Sequence, residues 1–402
     1  MRVAVFTPYL PYPPDTGGKI RSYYLLRALT ARFEVDLYTV YYGEGPSSLD
    51  IEALRRHCRR VVLFRLVKRW RTRDRIRRIL SWLPRLVTHF YTSRSLEWAS
   101  QHLRDGAYEL VVADEICMTP YAELAPDLPR VVSRQKVDHV HYREIATARS
   151  WGQEKVLDLI EATKLQRYER AKMSLYQACL ACSEKDVQLI RRDAPDVPMM
   201  VIPNGVDLGT FVPSRHPESR GPALLYVGAM DYYPNIDAVQ FFFRTIYEPL
   251  RRAVVNLRVQ VVGHTPPPEI RRLAELPGVE VTGSIPDVRP YYEQATVFIV
   301  PLRLGGGTRL KIVEAMAMGL PVVSTTIGAE GLDVHPGENI VIADDAASFT
   351  NGVLRLLRGP DLRNRIAKGG RVLARRYDWT TLTGPYVDLV KEVIEQWRQT
   401  SR

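Results

Sequence analysis

The chain has 402 residues, of which 46% are apolar and 25% charged; this length exceeds one ordinary core and suits two α/β domains of about 150–200 residues each, and the composition excludes general disorder. No apolar run approaches the roughly 18–20 residues that cross a bilayer, and residues 1–10 lack the segments of a signal peptide, so the protein is expected in the cytoplasm. Fifty-six Lys and Arg against 45 Asp and Glu give a net charge of +11, and the four cysteines are too few for a disulfide framework.

In chain order, RVAVFT (2–7), a Pro/Gly loop, KIRSYYLLRALTARF at helical spacing and EVDLYTV (34–40) make a βαβ opening. That unit implies a parallel sheet with a right-handed crossover. The segment DTGGKIRS is not a phosphate loop of the Walker type, because Ile20 stands where Ser or Thr is required and the upstream glycine is missing. Gly17 and Gly18 still form a small-residue turn between the first strand and the first helix.

Between Arg55 and Arg85 stand thirteen basic residues and one acid, Asp74, a segment that accounts for more than the whole net charge. Interleaved apolar residues, Trp70 and Trp82 among them, make the stretch 55–91 amphipathic. It suits an anionic membrane surface, with nucleic acid the weaker alternative. Further strands are expected at 61–64, 109–113, 130–133, 178–182 and 199–202. Between them, 154–177 reads as a helix with Val156, Leu159, Ile160, Tyr168 and Leu175 on one stripe. Cys179 and Cys182 form a CxxC, but on an alternating strand they point to opposite faces, so two buried thiols are expected rather than a shared metal or disulfide.

Residues 203–222 hold four prolines and three glycines with no periodicity, and mark the domain boundary. Strand-like runs resume at 223–228, 257–263, 279–283, 296–301, 320–325 and 339–343, with helical segments between them. The pattern predicts an α/β protein of two doubly wound parallel sheets, with ligands at the carboxyl ends of the strands.

One stretch, PLRLGGGTRLKIVEAMAMGLPVVS (301–324), carries the chemistry. It reads as a strand, a loop over 302–308 and a helix closed by Gly319. Three glycines at a strand-to-helix turn let main-chain N–H groups approach a ligand, and the helix start favours an anion. Arg309 and Lys311 are expected in the first helical turn, where the dipole disfavours cations; a diphosphate supplies the reason for their presence. Glu314, one turn on, is placed to accept hydrogen bonds from vicinal hydroxyls such as those of ribose. No GxSxG, HExxH or HxE…PCxxC pattern occurs, so no dedicated nucleophile is indicated.

The segments PPDTGGKIRSYYLLRAL (13–29), SEKDVQLI (183–190), VIPNGVD (201–207), YVGAMDYYPNIDA (226–238), GSIPDVRPYYEQATVFIVPL (283–302) and GGGTRLKIVEAMAMGLPVVST, in this order, resemble family 4 glycosyltransferases, nearest to bacterial exopolysaccharide and cell-surface sugar transferases. The resemblance spans nearly the whole chain. It implies the GT-B fold, two Rossmann-like domains facing a cleft. Residues 1–208, completed by the C-terminal helix at 384–402, would form the acceptor domain, and 209–383 the domain for a nucleotide-diphosphate sugar. Transfer in that family retains anomeric configuration, needs no metal and uses no cofactor beyond the donor, cations and amides neutralising the diphosphate. Carried over by position, donor contacts fall on Gly17, Gly18, Gly228, Gly305, Gly306, Gly307, Thr308, Arg309, Lys311 and Glu314, and the base pocket on Gly283, Ser284 and Ile285.

The chain departs from the family in three places. Of two glutamates separated by seven residues, Glu314 matches the second and Gly306 stands in place of the first. The Arg and Lys that often follow the first strand of the second domain are missing from GAMDYYPNID, which leaves the phosphate to Arg309 and Lys311. Gln135 stands where relatives often carry a His near the reacting sugar. His139, His141 and Asp138 follow just downstream, and Asp114 and Glu115 end the 109–113 strand, where an acceptor hydroxyl is bound or deprotonated. The catalytic candidates are therefore His139, His141, Asp138 and Glu115. Transfer of a sugar to a surface glycan or lipid-linked acceptor is the expected activity. A nucleotide-sugar 2-epimerase and a degenerate nucleotide-sugar-binding protein are the alternatives.

Overall fold

The computed structural model describes residues 1–67, 81–149, 151–213, 221–304 and 309–400. The chain divides into two compact units, Met1–Pro203 with Thr383–Arg402, and Asn204–Leu382. Residues 68–80 of the basic stretch and 214–220 of the boundary segment lie outside the described residues.

The first unit holds β1 (Arg2–Thr7), β2 (Glu34–Tyr41), β3 (Arg60–Arg65), β4 (Leu110–Asp114), β5 (Arg130–Ser133), β6 (Ala178–Ala181) and β7 (Met199–Val201). They form one sheet in the order β3-β2-β1-β4-β5-β6-β7, with every neighbouring pair parallel. Its central strands are buried along their whole length, as in LVVAD and RVVS. That is the signature of a parallel sheet covered on both faces, where no polar alternation is tolerated. The helix Trp379–Thr400 packs into this unit from Thr383 onward: Tyr386 is buried, and Trp397 Nε1 donates to the Asp127 carbonyl at 3.2 Å.

The second unit holds β8 (Ala223–Val227), β9 (Arg258–Val262), β10 (Val279–Val281), β11 (Val297–Val300), β12 (Val322–Ser324) and β13 (Val341–Ile342). Their order is β10-β9-β8-β11-β12-β13, again all parallel. All thirteen expected runs carry a strand, and both sheets are doubly wound. In each, the chain builds outward from the first strand and then returns to its other side, which opens a crevice at the carboxyl ends between β1 and β4, and between β8 and β11.

The helix after β11 begins at Leu310, so Arg309 caps it rather than lying in its first turn. It ends as read from the sequence: Gly319 adopts φ +72, its N–H donates to Met316, and the Leu320 N–H donates to Ala315, the paired closure that a left-handed residue permits.

The stripe expected on 154–177 has the opposite orientation to a core-facing one. In the helix Gln153–Met173, Val156, Leu159 and Ile160 face solvent, as does Leu175 beyond its end, and only Tyr168 of the five is buried; Asp158, Glu161 and Glu169 point inward. Cys179 and Cys182 are both buried, and burial pushes their thiols up to about 12 and about 11. Among the described residues, no helix is long and apolar enough to cross a membrane.

Gly263 supports the second crevice by having no side chain: a Cβ there would stand 1.8 Å from the Gly228 carbonyl oxygen. Gly263→Ala is expected to cost about 1–3 kcal/mol of stability, because main chain must shift to admit it. Urea denaturation of the variant checks the sign.

Candidate functional site

In the second unit the site residues gather where β10, β9, β8 and β11 end. Gly228 follows β8, and its N–H donates to the Val262 carbonyl at 2.9 Å. Lys311, at the start of the helix Leu310–Ala317, extends across this turn. Its Nζ donates to Asn235 Oδ1 at 3.0 Å and to the Tyr226 hydroxyl at 3.3 Å, and lies 4.6 Å from the centre of the Tyr226 ring. Tyr226 in turn donates to Asn235 Oδ1 at 2.7 Å, and Asn235 Nδ2 donates to the Ala229 carbonyl at 2.8 Å. A Cβ at Gly228 would stand 2.8 Å from Lys311 Nζ, so the glycine makes the space in which the ammonium sits.

The described partners of Lys311 are neutral, and burial beside Arg309 pulls its ammonium down to about 7. Arg309 is itself buried, and desolvation lowers its guanidinium from the ordinary value. Two cations held out of water at a glycine-lined strand end form a site for a strong anion. One turn further, Glu314 Oε2 accepts from the Tyr292 hydroxyl at 3.0 Å, and burial raises its carboxyl against the opposing effects of that bond and of Lys311. Tyr292 thereby fixes the carboxylate and leaves its other oxygen for a further donor.

Beyond β10, Thr282 Oγ1 accepts from the Gly263 N–H at 3.3 Å. Gly283 and Ser284 are exposed, while Ile285 packs against the core. Gly228, Arg309, Lys311, Glu314 and Gly283–Ile285 thus occupy ends of adjacent strands. Gly305, Gly306, Gly307 and Thr308 lie outside the described residues. Sequence reading did not single out Tyr226, Asn235 or Tyr292; the signal for Asn235 was its place in the very segment noted as lacking Arg and Lys.

In the first unit the corresponding position belongs to Gln135. Its Nε2 donates to the Tyr9 hydroxyl at 2.8 Å and the Gly18 carbonyl at 3.2 Å, and its N–H to Glu115 Oε1 at 3.2 Å. One residue therefore joins the loops that follow β1, β4 and β5. Gly18 is required there, since a Cβ would meet the Tyr9 hydroxyl at 2.6 Å, whereas Gly17 has open space. Glu115 has φ +82, a strained conformation for a residue with a side chain and one that concentrates at functional sites. Burial, then the charges of Asp138 and Asp114, raise its carboxyl. Asp114, which accepts from Ser22, is pushed up to about 6 by burial.

Asp138 and His139 sit in a buried ion cluster. Arg134 Nη2 lies 3.0 Å from Glu169 and 3.4 Å from Asp138, and His139 Nδ1 lies 2.8 Å from Glu169 Oε2. His141 is half-buried, and burial with nearby Lys136 lowers its imidazole. Glu115 and Gln135 are therefore brought together, while His139 and Arg134 hold Glu169 of the helix Gln153–Met173 and Asp138 pairs with Arg134.

Residues 221–359 match the family Glycosyl transferases group 1. The match lies within the second unit. Over 368 residues the chain is 21% identical to an uncharacterized 44.6 kDa protein in the cps region of Klebsiella pneumoniae, covering 88% of this chain and 90% of that one. It is 27% identical over 212 residues to the phosphatidyl-myo-inositol mannosyltransferase of Mycobacterium tuberculosis (strain ATCC 25618 / H37Rv), covering 48% of this chain and 53% of the relative; the match thus spans about half the length of that mannosyltransferase. Among solved structures, sucrose-phosphate synthase from Thermosynechococcus elongatus superposes with a TM-score of 0.71 at 19% identity over 98% of this chain and 100% of that one. Anabaena Alr3699/HepE, determined in complex with UDP, superposes with a TM-score of 0.67 at 14% identity, again over 98% and 100%. Both likenesses are of fold: the two sheets of this chain are those of GT-B glycosyltransferase structures.

Removing the buried guanidinium while leaving its acids is the sharpest test of the ion cluster. Arg134→Met is expected to cost about 3–5 kcal/mol, because Asp138 and Glu169 lose a buried counter-charge. Chemical denaturation measures this, and an unchanged midpoint would show that the cluster contributes nothing to folding.

Proposed function

We propose that the chain is a retaining, metal-independent glycosyltransferase, which moves a sugar from a nucleotide-diphosphate sugar to a glycan or lipid-linked acceptor in cell-surface polysaccharide synthesis. The observation that carries the reading is the ammonium of Lys311, held against Gly228 at the strand-end crevice with neutral partners and next to Arg309. A diphosphate supplies a negative charge that the described hydrogen-bond partners of Lys311 do not. The match to group 1 glycosyl transferases over 221–359 and the UDP held by a protein of the same fold support the donor class. The relative in a cps region supports the surface-polysaccharide setting.

In this reading Arg309 and Lys311 neutralise the diphosphate as it leaves, in place of a metal ion, and no cofactor is used. Glu314, oriented by Tyr292, receives the ribose hydroxyls, and the loop 283–285 receives the base. Glu115 and Gln135 serve the acceptor hydroxyl. Retention follows from the leaving diphosphate guiding the acceptor onto the face it vacates, which requires no protein nucleophile. The basic stretch 55–91 holds the protein at an anionic membrane, where a lipid-linked acceptor resides.

Thermal-shift titration with UDP-, GDP- and dTDP-sugars identifies the donor, because a ligand stabilises the folded state according to its concentration over Kd. With that donor, transfer or slow hydrolysis is expected, lost on Glu314→Ala and unchanged by EDTA. Epimerised donor formed without any acceptor would instead establish the 2-epimerase. Lys311→Met is expected to weaken nucleotide binding about tenfold to a hundredfold, the range for a hydrogen bond to a charged group.

The pH dependence follows from the same lysine. Its free-state value of about 7 is raised by a bound diphosphate, so binding above pH 7 takes up a proton and affinity falls as pH rises. Calorimetry in buffers of different ionisation enthalpy reads that proton directly; no buffer dependence at pH 8 would remove Lys311 from the anion site.

A further inference from the structure

The helix Gln153–Met173 turns an apolar stripe outward because its acids are required inward. Glu161 Oε1 accepts from the Leu86 N–H at 3.1 Å, one of the open amides at the start of the helix Arg85–His89. Asp158 meets Arg149 at 3.2 Å, and Glu169 belongs to the cluster with Arg134 and His139. Rotating the helix to bury Val156, Leu159 and Ile160 would break all three anchors, so packing onto this unit does not explain the stripe.

What surrounds it is equally unusual for solvent. Trp151, just before the helix, is 83% exposed, Trp82 72%, Val156 44%, Leu159 40% and Ile160 38%. Trp82 stands three residues before Arg85, whose charge, like that of Lys164, acts on Glu161. This places the segment against the same helix. The rim is basic: Lys155 Nζ lies 5.3 Å from the Trp151 ring centre, and exposed Arg167 and Arg170 continue the outward side of the helix. The exposed acid Glu154 is paired with Arg149 at 3.2 Å.

We propose that Trp82, Trp151, Val156, Leu159 and Ile160, rimmed by Arg85, Lys155, Lys164 and Arg167, form a docking face for an anionic lipid bilayer. Tryptophan and a shallow aliphatic stripe suit the level of the headgroups, and the cations suit anionic lipid. A second copy of the chain fits less well, since it would bring two basic rims together. This face lies on the helix Gln153–Met173 and the turn before Arg85; it rests on the membrane part of the function proposed above and assigns the surface that makes contact.

Co-sedimentation with vesicles of phosphatidylcholine alone, and of equimolar phosphatidylcholine and phosphatidylglycerol, tests the inference. The unaltered chain is expected to bind only the second, and Leu159→Glu with Ile160→Glu to lower the bound fraction about tenfold, as does Trp151→Ala to a smaller extent. The thermal midpoint and its shift by donor should stay unchanged, since all three positions are exposed. Equal binding by the variants overturns this face while leaving membrane association by other residues standing. No binding by the unaltered chain overturns both. A change of oligomeric state in the variants, without loss of vesicle binding, assigns the face to a second copy and overturns the inference.

Discussion

Two loops of main chain can touch at the end of β8 and β9 because neither carries a side chain there. Gly228 and Gly263 bring their backbones together, and the space left on the other side of Gly228 admits the end of Lys311. Any substituent on either glycine would displace the ammonium or part the two strand ends. The crevice of a doubly wound sheet is a general feature of the fold; what is particular to this chain is that it is filled by a cation whose fixed partners are a phenol and an amide. Both can hydrogen-bond an ammonium, and neither offsets its charge. The arrangement keeps a positive charge in reserve at the point where β8 and β11 diverge.

The same economy of charge runs through the first unit with the opposite outcome. There the buried cation, Arg134, is met by Asp138 and Glu169, and the buried acids Asp158 and Glu161 by a guanidinium and a backbone amide. These contacts consume the polar face of the helix Gln153–Met173. The cost of leaving any one of them unmade, several kcal/mol for a buried charge, exceeds what three half-exposed aliphatic side chains gain by burial, about 1.5–3 kcal/mol each only when burial is complete. The apolar stripe outside and the ion cluster inside are one decision made by the sequence.

Both sheets were legible because parallel strands covered on two faces must be runs of Val, Ile, Leu and Ala, and RVAVFT, LVVAD and TVFIVP have few other uses. The helix closed by Gly319 was legible for an equally local reason, a left-handed residue where the chain turns back. Arg309, Lys311 and Glu314 could be picked out because glycines and cations in one short turn have a limited set of ligands. The orientation of the Gln153–Met173 helix could not be read: its hydrophobic spacing is that of a core helix, and only contacts with Leu86, Arg134 and Arg149, distant in sequence, decide which side faces inward. Asn235 escaped for the same reason, since an amide in a loop carries no signal until a lysine from another element is brought against it. The partner of His139, Glu169, escaped as well, since it lies thirty residues on in another helix.

The two units therefore put different chemistry on one architecture. Where β8 and β11 part, Lys311 offers a charge; where β1 and β4 part, Gln135 offers an amide, its donors already directed to Tyr9 and Gly18 and its own N–H to Glu115. A neutral amide network beside a carboxyl whose proton is held by burial and by two neighbouring acids is suited to hydroxyl groups, which both give and accept hydrogen bonds, and is poorly suited to a phosphate. A buried ammonium whose described hydrogen-bond partners are neutral has the reverse preference. Fold alone assigns neither role; the two crevices differ in the side chains that their strand ends carry, an ammonium in one and an amide in the other.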